Sequence, residues 1–215
     1  MALLYVAFEK GHRLRVWSDE DSESPREWDN LGTMVCWHNR YSLGDKHEYE
    51  GTTHFFESLA IETDFLPAER DSIDPDALVD LIFRSGKYVI LPLYLYDHGG
   101  LTINTTGFSC PWDSGQVGWI YCSMERLLEE TKYSDREDAE RILLSEVETY
   151  NQYLQGDVYG YTLDKQIQCP TCGHSEWEPV DSCWGFYGPF EEWLPTELAE
   201  PYCELVELLQ PVSRR

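Results

Sequence analysis

The alternation of apolar and polar residues is clearest between residues 89 and 123, where two apolar runs flank a turn and a β-branched polar run. The first run, VILPLYLY, predicts a central strand, although Pro92 favours a bulge or an edge position within it. Gly99 and Gly100 predict a turn, and segments 101–106 and 115–122 predict two more strands that complete an antiparallel meander. Polar and aromatic residues gather at the connections, so this end of the sheet is a candidate site.

The rest of the chain mixes strand and helix patterns. Apolar residues on both sides of Gly11 predict a β-hairpin, and the alternation in segment 158–167 predicts another strand. Helical patterns occupy segments 74–86, 124–132 and 134–155, and two short helices separated by prolines are predicted in segment 191–209. These elements predict a single α+β domain over residues 1–215, built mainly from antiparallel sheet with packed helices.

The charge of the chain limits the classes of partner. Forty acidic residues against 16 basic ones give a formal net charge of −24, which opposes direct binding to nucleic-acid phosphates. Such a surface serves solubility, or it imitates nucleic acid toward a basic partner. The candidate acidic face comprises Glu137, Glu140, Glu148 and the segment from Glu191 to Glu207.

The chain shows neither a membrane-spanning run nor a signal peptide, because its basic N-terminal residues follow the first apolar run instead of preceding it. We therefore expect a cytoplasmic protein without membrane contact. Seven cysteines, an odd number, then favour reduced thiols or a metal over a disulfide framework.

Residues 169–188 predict a hairpin that resembles a zinc knuckle. Cys169, Cys172 and His174 have the spacing of one half of such a site, and Cys183 is the candidate for a further ligand. Cys203 or the Cys36/His38 pair are alternatives for the second half. A bound zinc ion would be structural, and the alternative is a plain hairpin tip with reduced cysteines.

Four strings resemble those of an uncharacterised protein family encoded by bacteriophages and related mobile elements. They are DNLGTMVCWHNRYSLGDKH, LPLYLYDHGGLTINTTGFSCPWDSGQVGWIY, EVETYNQYLQGDVYGY and DSCWGFYG, in the same order and over roughly a third of the chain. The resemblance carries no activity. It implies a phage accessory protein in the host bacterial cytoplasm, and such proteins are frequently antagonists of antiviral defence.

The aromatic residues near the predicted sheet end offer stacking surfaces, and the polar ones can read ribose hydroxyls or base edges. The candidate ligand-binding residues are Trp37, His38, Arg40, Asp97, His98, Asn104, Trp112, Asp113 and Trp184. A pocket of this kind suits a nucleotide-derived immune signal, so the expected function is an anti-defence protein that acts by sequestration. The alternative within the binding class is an acidic inhibitor that mimics nucleic acid toward a basic host defence protein.

An enzymatic alternative uses some of the same residues. Cys110, His98 and Asp113 are the residue types of a thiol hydrolase, in which a histidine base activates the nucleophile. A divalent-metal hydrolase would instead use Asp45, His47, Asp97, His98 and Asp113. Neither set has a diagnostic spacing, so no catalytic residue is assigned and binding without catalysis is the expectation.

Overall fold

The computed structural model of the 215-residue chain describes residues 1–62 and 74–212. The chain divides into two compact units, the first formed by Met1–Ser24 and the segment from Gln152 onward, the second by Pro25–Asn151. Helices occur alongside two antiparallel sheets, so the predicted α+β class is confirmed. The prediction of a single domain over residues 1–215 stays a prediction.

Strands and helices are interspersed along the chain. The strands, in chain order, are β1 (Leu3–Glu9), β2 (His12–Ser18), β3 (Thr33–Cys36), β4 (Tyr88–Asp97), β5 (Leu101–Asn104), β6 (Ser114–Ser123), β7 (Val158–Gln168), β8 (Ser175–Tyr187) and β9 (Gln210–Pro211). The helices are α1 (Thr52–Glu62), α2 (Pro75–Ser85), α3 (Met124–Glu130), α4 (Arg136–Gln155) and α5 (Phe190–Glu197), with 3-10 helices at Pro25–Glu27 and Tyr202–Leu208.

The first unit is built on a five-stranded sheet in the order β8-β7-β2-β1-β9. The predicted hairpin is confirmed as β1 and β2, and Gly11 supplies the positive φ of +76° that the turn requires. Leu14 and Val16 alternate along β2 and are fully buried beneath Phe190 and Leu194 of α5. One face of the sheet therefore carries the core of this unit.

The second unit contains a four-stranded sheet in the order β3-β6-β4-β5. The predicted order of a meander is wrong, because β6 pairs with β4 on the side opposite β5. The long connection from residue 105 to 113 allows this return, and it leaves the four-residue β5 at an edge. The bulge that Pro92 suggested lies nearby, at a shift in register between Leu93 and Tyr94.

Helices α1 and α2 pack on this sheet through fully buried side chains that include Phe55, Leu59 and Ile82. The helical spacing predicted for segment 134–155 is confirmed in α4, whose buried residues are Ala139, Leu143, Val147 and Tyr150. Within residues 1–62 and 74–212, none of the helices combines the length and apolar character that crossing a bilayer requires.

Candidate functional site

An open cavity lies where β4 of the second unit ends and β6 begins, and we call it the Trp112 cavity. Its volume is about 450 Å³, and its lining consists of Leu95, Asp97 and the segments 37–40 and 112–117. Leu95 and Val117 are buried. A cavity with two buried apolar residues and an otherwise largely polar and aromatic lining therefore lies at the sheet end for which the sequence predicts a site.

The backbone of β6 shapes one side of the cavity. The register shift between Leu93 and Tyr94 leaves Val117 as an extra residue, and the Val117 carbonyl accepts a hydrogen bond of 2.8 Å from the Trp37 amide. A Cβ atom on Gly118 would lie 2.0 Å from the carbonyl oxygen of Val35. Glycine is therefore required there for β3 to approach β6 and to deliver segment 37–40 to the cavity.

Asp97 organises the wall formed by segment 37–41. Its carboxylate accepts a 3.1 Å hydrogen bond from Arg40 Nη1 and one of 3.2 Å from the Tyr41 hydroxyl. The Tyr41 ring stacks on His38 with centroids 5.0 Å apart, and His38 Nδ1 accepts hydrogen bonds from the amides of Arg40 and Tyr41. A neutral His38 therefore carries its proton on Nε2. Tyr41 is absent from the predicted set, although its place in the aromatic segment was a usable signal.

Asp113 joins two of the predicted catalytic candidates. His98 Nδ1 lies 3.2 Å from Asp113 Oδ2, and Cys110 Sγ donates a hydrogen bond of 3.7 Å to the same oxygen. A cysteine nucleophile needs the imidazole next to the thiol, with the carboxylate on the far side of the ring. Here the carboxylate stands between thiol and imidazole, so this arrangement does not let His98 deprotonate Cys110.

The two tryptophans of the cavity have different environments. Trp112 is 91% exposed. Trp37 is fixed by contacts within the protein, since its Nε1 donates a hydrogen bond of 2.9 Å to the Tyr49 carbonyl and its ring packs edge-on against Phe55. Trp112 therefore offers a ring surface to a ligand, whereas Trp37 is largely part of the wall.

Three of the predicted ligand-binding residues, His98, Asn104 and Trp184, do not line the cavity, although His98 contacts Asp113 of the lining. The Asn104 side chain is occupied by its own loop, because Oδ1 accepts hydrogen bonds from the amides of Thr106 and Gly107. Trp184 lies in β8 of the first unit, packed over Gly160, where an added Cβ would be 2.2 Å from the indole. Their residue types suggested ligand contact, but none of the three is among the residues that line the cavity.

The residues of the predicted divalent-metal site are separated by their partners. Asp45 binds Arg26 at 2.6 and 2.9 Å and also accepts a hydrogen bond from the Met34 amide, while His47 Nε2 lies 3.0 Å from the Cys36 carbonyl. Asp45 and His47 thus stabilise the loop after β3. Within the described parts of the chain, no three Cys, His, Asp or Glu side chains form a group able to hold a metal ion.

The predicted zinc-knuckle hairpin forms the turn between β7 and β8. The Cys169 amide donates to the His174 carbonyl at 2.8 Å, and the Gly173 amide donates to the Cys169 carbonyl at 2.9 Å. The backbone amides of Cys172 and Thr171 donate to the Cys169 sulfur and lower the pKa of that thiol. The tight turn thus favours a thiolate at Cys169.

Cys183 does not belong to this turn. It pairs with Tyr161, whereas Ser175 at the start of β8 pairs with Gln168. Eight residues of strand separate Cys183 from Ser175, which corresponds to about 26 Å. Cys36, another suggested ligand, is buried, and burial together with nearby Asp45 raises the pKa of its thiol to about 12.

The predicted acidic face divides into two different regions. On α4, Arg136 pairs with Glu140 at 2.9 Å, and Arg141 pairs with Asp138, so part of the negative charge is compensated. The glutamates of the C-terminal segment are all exposed, and they are Glu191, Glu192, Glu197, Glu200, Glu204 and Glu207. Glu204 pairs with Lys10 at 3.0 Å.

Comparisons of the chain with protein-family models, with curated proteins and with solved structures find no match.

Proposed function

We propose that the protein binds a nucleoside-containing small molecule in the Trp112 cavity. In the phage context that the sequence resemblance implies, this binding withdraws a nucleotide-type immune signal and antagonises bacterial antiviral defence. The observation that carries the proposal is the 91% exposed indole of Trp112 beside Asp97 and Asp113 in one open cavity.

The volume of the cavity and the exposed Trp112 ring support binding of a planar ligand. A volume of about 450 Å³ falls in the range typical of small-molecule sites. Stacking of a base on an aromatic side chain contributes about 1–3 kcal/mol, and the exposed indole loses little packing within the protein when a ligand covers it. The Trp112 ring therefore supports recognition of a base.

The polar groups favour the nucleoside part over a polyphosphate. Asp97 and Asp113 are partly exposed, at 28% and 39% of their side chains, and their carboxylates are acceptors for ribose hydroxyl groups. The Arg40 side chain is 71% exposed and one of its nitrogens pairs with Asp97. Its remaining N–H groups can bind one phosphate group at the rim of the cavity. We expect AMP and ADP-ribose to bind better than a nucleoside triphosphate, whose charge the two carboxylates repel.

Isothermal titration of the full chain with adenosine, AMP, ADP-ribose, ATP and a cyclic dinucleotide tests the proposal. Trp112→Ala should weaken binding about tenfold or more, because a stacking surface is lost. The matched control is Trp28→Ala, since Trp28 is 46% exposed but lies outside the cavity lining. No binding to any of the five compounds, or equal affinity of the Trp112→Ala variant, would contradict a nucleotide site here.

A second candidate function follows from the six exposed glutamates of segment 191–207. An acidic surface of this density is suited to occupy a basic, nucleic-acid-binding surface of a host protein. The probe is an arginine-rich peptide, measured at low and high salt. Changing all six glutamates to Gln should remove its binding, whereas six changes at Glu125, Glu129, Glu130, Glu137, Glu140 and Glu148 should preserve it. If both variants lose peptide binding equally, the binding depends only on the net charge of the protein and not on this surface.

A further inference from the structure

The end of the β7–β8 hairpin stands in solvent. The two strands contain 11 and 13 residues, and every residue from 168 to 176 is exposed. The tip sequence QCPTCGHS contains no Asp, Glu, Lys or Arg, in a chain whose net charge is −24. The tip is thus accessible, and it lacks the like charges that would oppose the close approach of another tip.

The turn brings two thiols together. The Cys169 amide donates to the His174 carbonyl at 2.8 Å and the Gly173 amide donates to the Cys169 carbonyl at 2.9 Å, so Cys169 and Cys172 lie on one tight turn. Gly173 has a φ of +73°, which lets the chain turn back into β8 directly after the second cysteine. Two cysteines with two residues between them on one tight turn match half of a tetrahedral thiolate site for zinc.

The described residues of one chain do not supply the other half. A structural zinc site takes four ligands, and no third Cys, His, Asp or Glu among the described residues completes a group with these two thiols. Cys183 lies about 26 Å away along the strand. The other two ligands are therefore not in place among the described residues, and a second copy of the tip can supply them.

We propose that the hairpin tip is half of a zinc site and that the same tip of a second copy completes it with two further thiolates. A two-fold axis through the metal generates this arrangement, because each copy then contributes the same pair, Cys169 and Cys172. The two sulfurs of each tip are exposed in the single chain, and the two tips approach without crossing charged side chains. The ion joins two copies and releases thiol protons on binding.

The test uses the full chain, reduced and freed of metal, with zinc sulfate or with EDTA. Native mass spectrometry and light scattering should show a dimer with about one zinc per two chains, which reverts to monomer in EDTA. Cobalt in place of zinc should give the ligand-field spectrum of a tetrahedral thiolate site. Cys169→Ser and Cys172→Ser should each abolish metal binding and the metal-dependent dimer.

Two further variants distinguish the arrangement from its alternatives. Cys183→Ser is the matched control, because it removes an exposed cysteine from the same hairpin and should leave the zinc content unchanged. His174→Ala should also retain zinc. Loss of zinc in His174→Ala would show that His174 is a ligand, and one zinc per chain in a monomer would show that one chain completes the site. Either result would overturn the arrangement of four thiolates from two copies. If the wild-type protein binds no more zinc than the Cys169→Ser variant, the proposed metal site itself is wrong.

Discussion

Two arginines of the second unit, Arg26 and Arg40, each bind an aspartate, yet they differ in exposure and in the number of their hydrogen bonds. The Arg26 side chain is 5% exposed, whereas that of Arg40 is 71% exposed. Arg26 makes two hydrogen bonds to Asp45, one to Glu146 and one to the Gly32 carbonyl. Arg40 makes one of 3.1 Å to Asp97. The same pair of residue types thus forms a buried network in one place and an exposed contact beside a cavity in the other.

The buried network holds the segment that leads into the cavity wall. Glu146 on α4 accepts hydrogen bonds from the amides of Leu31 and Gly32, and Asp45 accepts one from the Met34 amide. These bonds fix the chain on both sides of β3, the strand that is followed by segment 37–40. Arg26 therefore supports the structure of the site, whereas Arg40 is available to a ligand.

Arg26→Met should have the largest effect on stability. Removal of one member of a buried ion network leaves the Asp45 and Glu146 carboxylates without compensation, which costs about 3–5 kcal/mol. Urea denaturation at neutral pH measures the change in the free energy of unfolding. The control is Arg84→Met, since Arg84 is 81% exposed and pairs with Asp80 within one helix. A loss for Arg26→Met no larger than for this control would refute a supporting role of the network.

The fold was predictable where a local pattern decides it. The apolar spacing of α4 and the alternation around Gly11 identify a helix and a hairpin from neighbouring residues alone. The pairing of β6 with β4 was not predictable, because a strand pattern does not say which strand is its neighbour. β3 contains four residues, which is too short for a period to be recognised.

The candidate site was predictable in part for the same reason. Asp97, Trp112 and Asp113 adjoin strand ends, so their place in the sequence indicated a common location. Arg26 lies in the acidic segment 19–28, whose composition predicts a solvated loop. Its partners follow 19 and 120 residues later, so no local pattern reveals that its charge is buried.

Glu146→Gln should have a smaller effect that depends on pH. Burial raises the pKa of Glu146 from its usual value of 4.5, although the Gly32 amide and Arg26 act in the opposite direction. A raised pKa means that the folded state binds the proton more readily than the unfolded state. The stability contributed by Glu146 is therefore present below its unfolded pKa and is lost as the pH rises through the folded pKa.

Glutamine stays neutral across this range and keeps an oxygen for the amides of Leu31 and Gly32. We therefore expect Glu146→Gln to change the free energy of unfolding by less than about 1 kcal/mol at neutral pH. On acidification the balance should move in favour of the wild-type protein. Urea denaturation of both proteins at several pH values measures this difference, and a variant whose relative stability improves on acidification would contradict the sign.

Arg40→Met should have the smallest effect on stability, within about 0.5 kcal/mol, because exposed ion pairs contribute little and salt screens them. The unfolding difference between the variant and the wild-type protein should become smaller still when the salt concentration is raised, because salt screens the Arg40–Asp97 pair. A loss close to that of Arg26→Met would mean that Arg40 supports the fold, and the distinction between the two arginines would fail. If stability is preserved while AMP binding weakens, the exposed guanidinium acts on the ligand, since no loss of structure is left to explain the weaker binding.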